Sequence, residues 1–234
     1  LVFFIRLYAG IHDHCHGANQ QPILPFAHQK CMMTTATEIP SGAIKAGLNY
    51  NAFRTMVTKL LTEGKVTGIE QKASYLDYTK LNDHRMNRWD KHFHPSEEMI
   101  RTVAEIAQPR TWLVITEGWC GDSAQILPAL AKIAACNALI DLRVILRDEN
   151  DEIMQRFLTN GTRSIPILVS LDQNLQVLWH WGPRPKGALD LIAKAKQEGI
   201  ESSVWKEALH LWFARNKQED LQSELIELIR SESL

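Results

Sequence analysis

From residue 109 to residue 197 the apolar pattern switches repeatedly between short continuous runs and stripes at three- and four-residue steps. This switching restricts the fold more than any other feature of the chain. Residues 112–116 (WLVIT), 139–146, 165–171 and 175–181 read as strands, the last two separated by the turn residues Asp172, Gln173 and Asn174. Residues 122–136, 152–160 and 187–197 read as helices, with Gly161 closing the second. The order β-α-β-α-β-β-α predicts an α/β domain whose first strands pair in parallel and whose last two form a hairpin.

Helical patterns flank this segment. Ile44, Leu48, Ala52, Met56, Val57, Leu60 and Leu61 predict one amphipathic helix over residues 42–63, stopped by Gly64. Residues 69–93 carry a narrower stripe, Tyr75, Tyr78, Met86, Trp89 and Phe93. Pro95, Ser96, Glu97 and Glu98 mark a further helix start. Beyond Gly199, Val204, Trp205, Ala208, Leu209 and Trp212 predict one helix, and Leu221, Leu225, Leu228 and Ile229 another. The expected organisation is a helical extension over 42–108, an α/β domain over 109–197, and helices over 198–234 that pack on it.

The net charge of −1 over 234 residues gives no electrostatic case for nucleic acid or an anionic membrane. The basic and aromatic segment Arg85 to Trp89 is offset by Asp83 and Asp90. Four scattered cysteines (15, 31, 120 and 136) do not make a disulfide scaffold and favour a reducing compartment, the cytoplasm. Residues 1–31 read as a poorly ordered or non-native leader, with Met32 a natural start; the apolar stretch 1–11 is too short to span a bilayer. His12, His14, Cys15 and His16 are ligand types without a second cluster, so neither metal nor cofactor is expected.

Cys120 ends the first strand–helix junction, in the run Thr116-Glu117-Gly118-Trp119-Cys120-Gly121-Asp122-Ser123. A helix N-terminus favours an anion, so a thiolate there is a stronger nucleophile at neutral pH than a free cysteine. The position three residues on, where a dithiol site carries its second sulfur, is Ser123. Cys136 stands sixteen residues away near the far end of the same helix, roughly 24 Å at ~1.5 Å per residue, beyond the reach of a disulfide. It reads as a packed core thiol.

Trp119-Cys120-Gly121 at that junction, Pro128 inside the helix, Ile165-Pro166 at the third strand and Gly182 after the hairpin resemble the thioredoxin family over residues 109–197. Arg147-Asp148-Glu149-Asn150 and Trp181-Gly182-Pro183-Arg184-Pro185 are similar to a little-characterised bacterial branch with a helical N-terminal extension. The resemblance implies a three-layer fold around a mixed sheet, a cis-proline at Pro166 beside the sulfur, and extended substrates pairing with the backbone before it. Two departures stand out: Cys120-Gly121-Asp122-Ser123 lacks the second cysteine, and Val114 occupies the position of the family's buried aspartate.

The Cys-x-x-Ser pattern resembles monothiol glutaredoxins and implies thiol–disulfide exchange resolved by an external thiol. Cys120, Ser123 and Glu117 are the expected catalytic residues: nucleophile, hydrogen-bond donor to the thiolate, and proton acceptor. Glu117 would equally raise the thiol pKa if ionised. Asp122 adds a second carboxylate, or simply suits the helix start. Trp119, Gly121, Asp122, Arg163, Ser164, Ile165 and Pro166 form the expected substrate-binding set, for a client protein or a low-molecular-weight disulfide. Trp179, Trp181 and Arg184 form either a partner-binding face or a surface for the added helices. Two other readings stay open: a non-redox module binding peptides in the groove near Pro166, and an iron–sulfur carrier.

Overall fold

Strand β1 (Arg110–Thr116) is fully buried from Trp112 onward and lies inside a four-stranded sheet of order β2-β1-β3-β4 in the computed structural model, which describes residues 38–232. β2 (Ile140–Leu146) runs parallel to β1, with Val114 opposite Val144; β3 (Ile167–Leu171) is antiparallel to β1, and β4 (Val177–Trp181) is antiparallel to β3. A central strand has no solvent face, which is why residues 112–116 are a continuous apolar run rather than an alternating one. The sheet is mixed and helices flank it, an α/β thioredoxin-like fold with helical extensions.

α5 (Gly121–Ala134) connects β1 to β2 and contains the buried Pro128, whose missing N–H removes one bond of the helix ladder. After β2 the chain passes through a 3₁₀ turn (Arg147–Glu149) and the short α6 (Asp151–Met154). The helix expected over 152–160 is cut short. Asn160 (φ 49°) and Gly161 (φ 73°) form a two-residue turn closed by the Thr159–Thr162 bridge. An Asn-Gly pair is a tight-turn signal, and it prevails here over helical continuation.

On the amino-terminal side are α1 (Ser41–Ala46), α2 (Tyr50–Thr62), α3 (Ala73–His92) and α4 (Glu97–Ala104). The single helix expected over 42–63 is therefore two. Leu48 leaves the helix to exchange backbone hydrogen bonds with Val144 at the β2 edge (2.9 and 2.7 Å), and Asn49 caps α2 by accepting from Ala52 N–H at 2.8 Å. Covering a free sheet edge outweighs one uninterrupted helix.

On the carboxy-terminal side are α7 (Lys186–Gln197), α8 (Ser202–Asn216) and α9 (Glu219–Ser231). α8 buries Leu209 and Phe213, while Val204, expected on its inner stripe, is exposed. Trp181 Nε1 donates to Glu224 at 2.6 Å and Trp179 Nε1 donates to Glu232, so these two indoles serve packing against α9. Trp112 meets Trp179 edge-on beneath them.

Cys136 is exposed, not a core thiol. α5 ends at Ala134, and Cys136 falls in the turn beyond it, where its thiol donates to the Lys132 carbonyl at 3.3 Å. The His12–His16 cluster and the leader lie outside the described residues. Among the described residues no helix is long and apolar enough to cross a membrane, and no group of three or more His, Cys, Asp or Glu side chains is placed to hold a metal ion.

Candidate functional site around Cys120

Cys120 is the N-cap of α5 and is 8% exposed. Its thiol donates to the Ile165 carbonyl at 3.3 Å, immediately before the cis Ile165–Pro166 bond. Burial pushes the thiol up to about 11, with the Asp122 carboxylate adding to the rise; hydrogen bonds from Ser123 and the Asp122 amide oppose it without prevailing. The activation expected from the helix start is thus overcome by desolvation, because a buried thiolate loses more solvation than a few N–H groups return. Both Cys120 and its surroundings favour the protonated thiol at neutral pH.

Ser123 is 2% exposed at the first turn of α5. Thr116 Oγ1 donates to Ser123 Oγ at 2.5 Å, which leaves the Ser123 hydroxyl proton free for another acceptor. Glu117 is placed differently from its expected role as proton acceptor. Its side chain is 1% exposed, and one carboxylate oxygen accepts from the Asp148 amide at 3.0 Å. The other is buried without a partner. Burial raises its pKa, while the hydrogen bond from the Asp148 amide works against the rise. Among the described residues no hydrogen bond joins the Glu117 carboxylate to the sulfur; it anchors the 3₁₀ turn after β2 instead.

Asp122 is more than a helix-start acid. It is buried and paired with Arg184 at 2.5 Å, yet desolvation still raises its pKa against the pull of Arg184 and Arg85. Trp119 is sandwiched between the Tyr75 ring, stacked at 4.7 Å, and the Arg147 guanidinium, 4.7 Å from its centroid. Gly121 lies against Arg85 and His210: a side-chain carbon there would meet them at 3.4 and 3.5 Å.

These residues border a cavity of about 260 Å³ over Cys120. Its walls come from two helices outside residues 109–197: Tyr75, Tyr78 and Arg85 on α3, and Trp205, Lys206, Leu209 and His210 on α8. Sequence reasoning took Arg85 as part of a charge-balanced segment and Trp205 as packing. No local pattern joins either to a cysteine in a different helix.

The rest of the expected binding set is placed elsewhere. Arg163 is paired with Asp148 (3.4 Å) and Asp151 (3.1 Å), and it borders a separate hollow with Ile69, Glu70 and Arg147. Ser164 shares a hydrogen bond with Thr162 at 2.8 Å. Ile165 and Pro166 are buried, the former contributing the carbonyl that faces the sulfur.

Solved structures with a similar fold include a protein of unknown function from Pseudomonas aeruginosa (16% identity, TM-score 0.54, covering 82% of this chain and 96% of that one). An HIV epitope-scaffold is similar to the same degree (17% identity, TM-score 0.53, 82% and 97% covered). No curated protein matches the chain. A family model described as thioredoxin matches residues 68–196, from the loop before α3 through α7. With a cysteine at the β1–α5 junction facing a buried proline loop, and a family match over more than half its length, the chain belongs to the thioredoxin family.

Proposed function

We propose that the protein performs thiol–disulfide exchange through Cys120 alone, with an external thiol as resolver. The Cys120 thiolate attacks one sulfur of a disulfide R–S–S–R, forming a protein–S–S–R bond as the substrate S–S bond breaks and R–S⁻ leaves. The thiol proton passes to solvent or to the leaving sulfur. A second thiolate then attacks the mixed disulfide, which returns Cys120 and releases a new disulfide. Cys120 is oxidised in the first step and reduced in the second.

The observation that carries this reading is the placement of Cys120 at the N-terminus of α5, in the lining of an open cavity, with no second thiol beside it among the described residues. Cys136 lies beyond the far end of a 14-residue helix that itself spans about 21 Å, out of reach of a disulfide with Cys120. Incubation with an oxidised small thiol is expected to add one adduct mass at the peptide containing Cys120, absent in Cys120→Ser. A folded protein whose Cys120 stays unmodified after prolonged incubation would contradict the proposal.

The raised thiol pKa favours a second reading, in which the site binds a ligand without turnover. Retention of all binding and cellular activity by Cys120→Ser would select that reading over the first.

A further inference from the structure

We infer that the cavity over Cys120 admits a small anionic disulfide and selects it by charge, with Arg85 as the principal anion contact. This rests on the exchange reading above and specifies its substrate class.

Size is the first argument. At about 260 Å³ the cavity lies below the range typical of drug-sized ligands and suits one short arm of a small disulfide. Cys120 is 8% exposed, and residues of α3 and α8 wall the cavity beside it. An extended protein segment would also have to displace the thiol from the Ile165 carbonyl, the acceptor that backbone pairing would use.

Charge is the second. Arg85, Arg184 and Lys206 border the cavity against one carboxylate, Asp122. Arg184 is committed to Asp122, and Lys206 lies exposed over the Trp205 ring. Arg85 is different: its only hydrogen bond among the described residues is from Nη1 to the Asn82 side chain at 3.0 Å, and it has no carboxylate within ion-pair distance. Asn82 is itself held by donating to the Gly118 carbonyl at 3.0 Å. A half-buried guanidinium in this state has lost water without gaining a paired carboxylate: burial lowers its pKa, and Asp122, already bonded to Arg184, offsets this only through its charge.

His210 supplies a further donor. Trp89 Nε1 donates to Gln125 Oε1 at 2.6 Å, which fixes the Gln125 amide so that its nitrogen faces His210 Nδ1 at 3.4 Å. Nδ1 is then the acceptor and Nε2 carries the proton. The ring is neutral at physiological pH, since burial and Arg85 hold it down to about 4. Its Nε2–H has no acceptor among the described residues. Arg85 Nη1 and His210 Cε1, the ring carbon bonded to this nitrogen, both lie against Gly121, the residue after Cys120.

The test uses three disulfides of similar length: 3,3′-dithiodipropionate (anionic), bis(2-hydroxyethyl) disulfide (neutral) and cystamine (cationic). Adduct formation is read by mass at the Cys120 peptide, and each rate is divided by that of the unfolded protein. The anionic reagent is expected to exceed the cationic one by about tenfold, as a charge-assisted hydrogen bond implies. Arg85→Gln should bring the ratio close to one, and Arg85→Lys should restore part of it. Equal or reversed preference in a reactive wild type overturns the inference and leaves the exchange reading standing. If folded Cys120 reacts with none of the three, the exchange reading fails. The cavity is then probed with benzoate against benzyl alcohol through the indole N–H signals of Trp119 and Trp205. A benzoate response lost in Arg85→Gln sustains the anion site, and no response overturns it.

Discussion

Gly182→Ala is expected to cost at least ~3 kcal/mol of stability and to release Cys120 from its buried position. Gly182 follows β4 with φ 132°, a conformation that L side chains rarely adopt. A β-carbon there would lie 2.3 Å from the Pro166 carbonyl oxygen and 3.2 Å from Ile167 Cα, both backbone atoms with no rotamer to change. The backbone strain alone is about 1–3 kcal/mol, and the clash adds to it. Relief requires the exit of β4 to part from the start of β3, where Leu168 pairs with Trp181. That movement shifts the residues next to the Ile165 carbonyl, which accepts from the Cys120 thiol. Urea midpoints give the stability and alkylation gives the exposure. Gly199→Ala is the comparison: it shares a positive φ (67°) but meets nothing within 4 Å, so its cost should be about 1 kcal/mol. Equal losses in the two variants would remove the close approach as the cause.

The parts of this protein that were legible in its sequence are those encoded within a few residues. The strand–helix junction at Cys120, the apolar run of β1 and the start of α4 at Ser96 each depend on neighbours in the chain. The parts that were not legible depend on distant partners. Leu48 fits a helical stripe perfectly well, and only the free edge of β2, nearly a hundred residues later, draws it out of the helix. Asp122 suits a first helical turn on any reading, and nothing local indicates that Arg184 returns from beyond β4 to pair with it. Cys136 reads as a core thiol from its place on the helical pattern, but the helix ends two residues earlier and leaves it exposed. The cavity is the strongest case. Its walls come from α3 and α8, more than a hundred residues apart, and α8 has apolar residues on most of its circumference, so its inner face was ambiguous. The position of a nucleophile is a local property, whereas its solvation and charge environment are tertiary ones, and these two decide its reactivity.

Those tertiary terms lead to the second large effect, a steep pH dependence of Cys120. With the thiol at about 11, roughly one molecule in ten thousand carries the thiolate at pH 7, against about 3% for an unperturbed thiol near 8.5. The higher basicity of the rarer thiolate recovers part of the loss, so disulfide exchange at pH 7 should be about twentyfold slower than for a free thiol. Between pH 7 and pH 10 the rate at Cys120 should climb about a thousandfold, whereas an unperturbed thiol gains about thirtyfold and levels off. His210 is already neutral well below pH 7. Asp122 is the nearest anion, so Asp122→Asn should lower the midpoint by about one pH unit. It should not bring the thiol to its free value, because burial is the larger cause. Arg184 keeps a quarter of its side chain in solvent, so the stranded guanidinium remains partly hydrated and the stability cost should stay near ~1 kcal/mol. The same raised pKa links stability to pH with a definite sign. Between about 8.5 and 11 the folded protein holds the Cys120 proton and the unfolded chain releases it. The stabilisation is therefore complete below about 8.5 and lost as pH rises through the folded value, by on the order of 3 kcal/mol. Cys120→Ala should flatten that decline while leaving the acid limb unchanged. A Cys120 rate that levels off by pH 9 would show that the thiol is solvated in the working protein, and burial would no longer account for its reactivity.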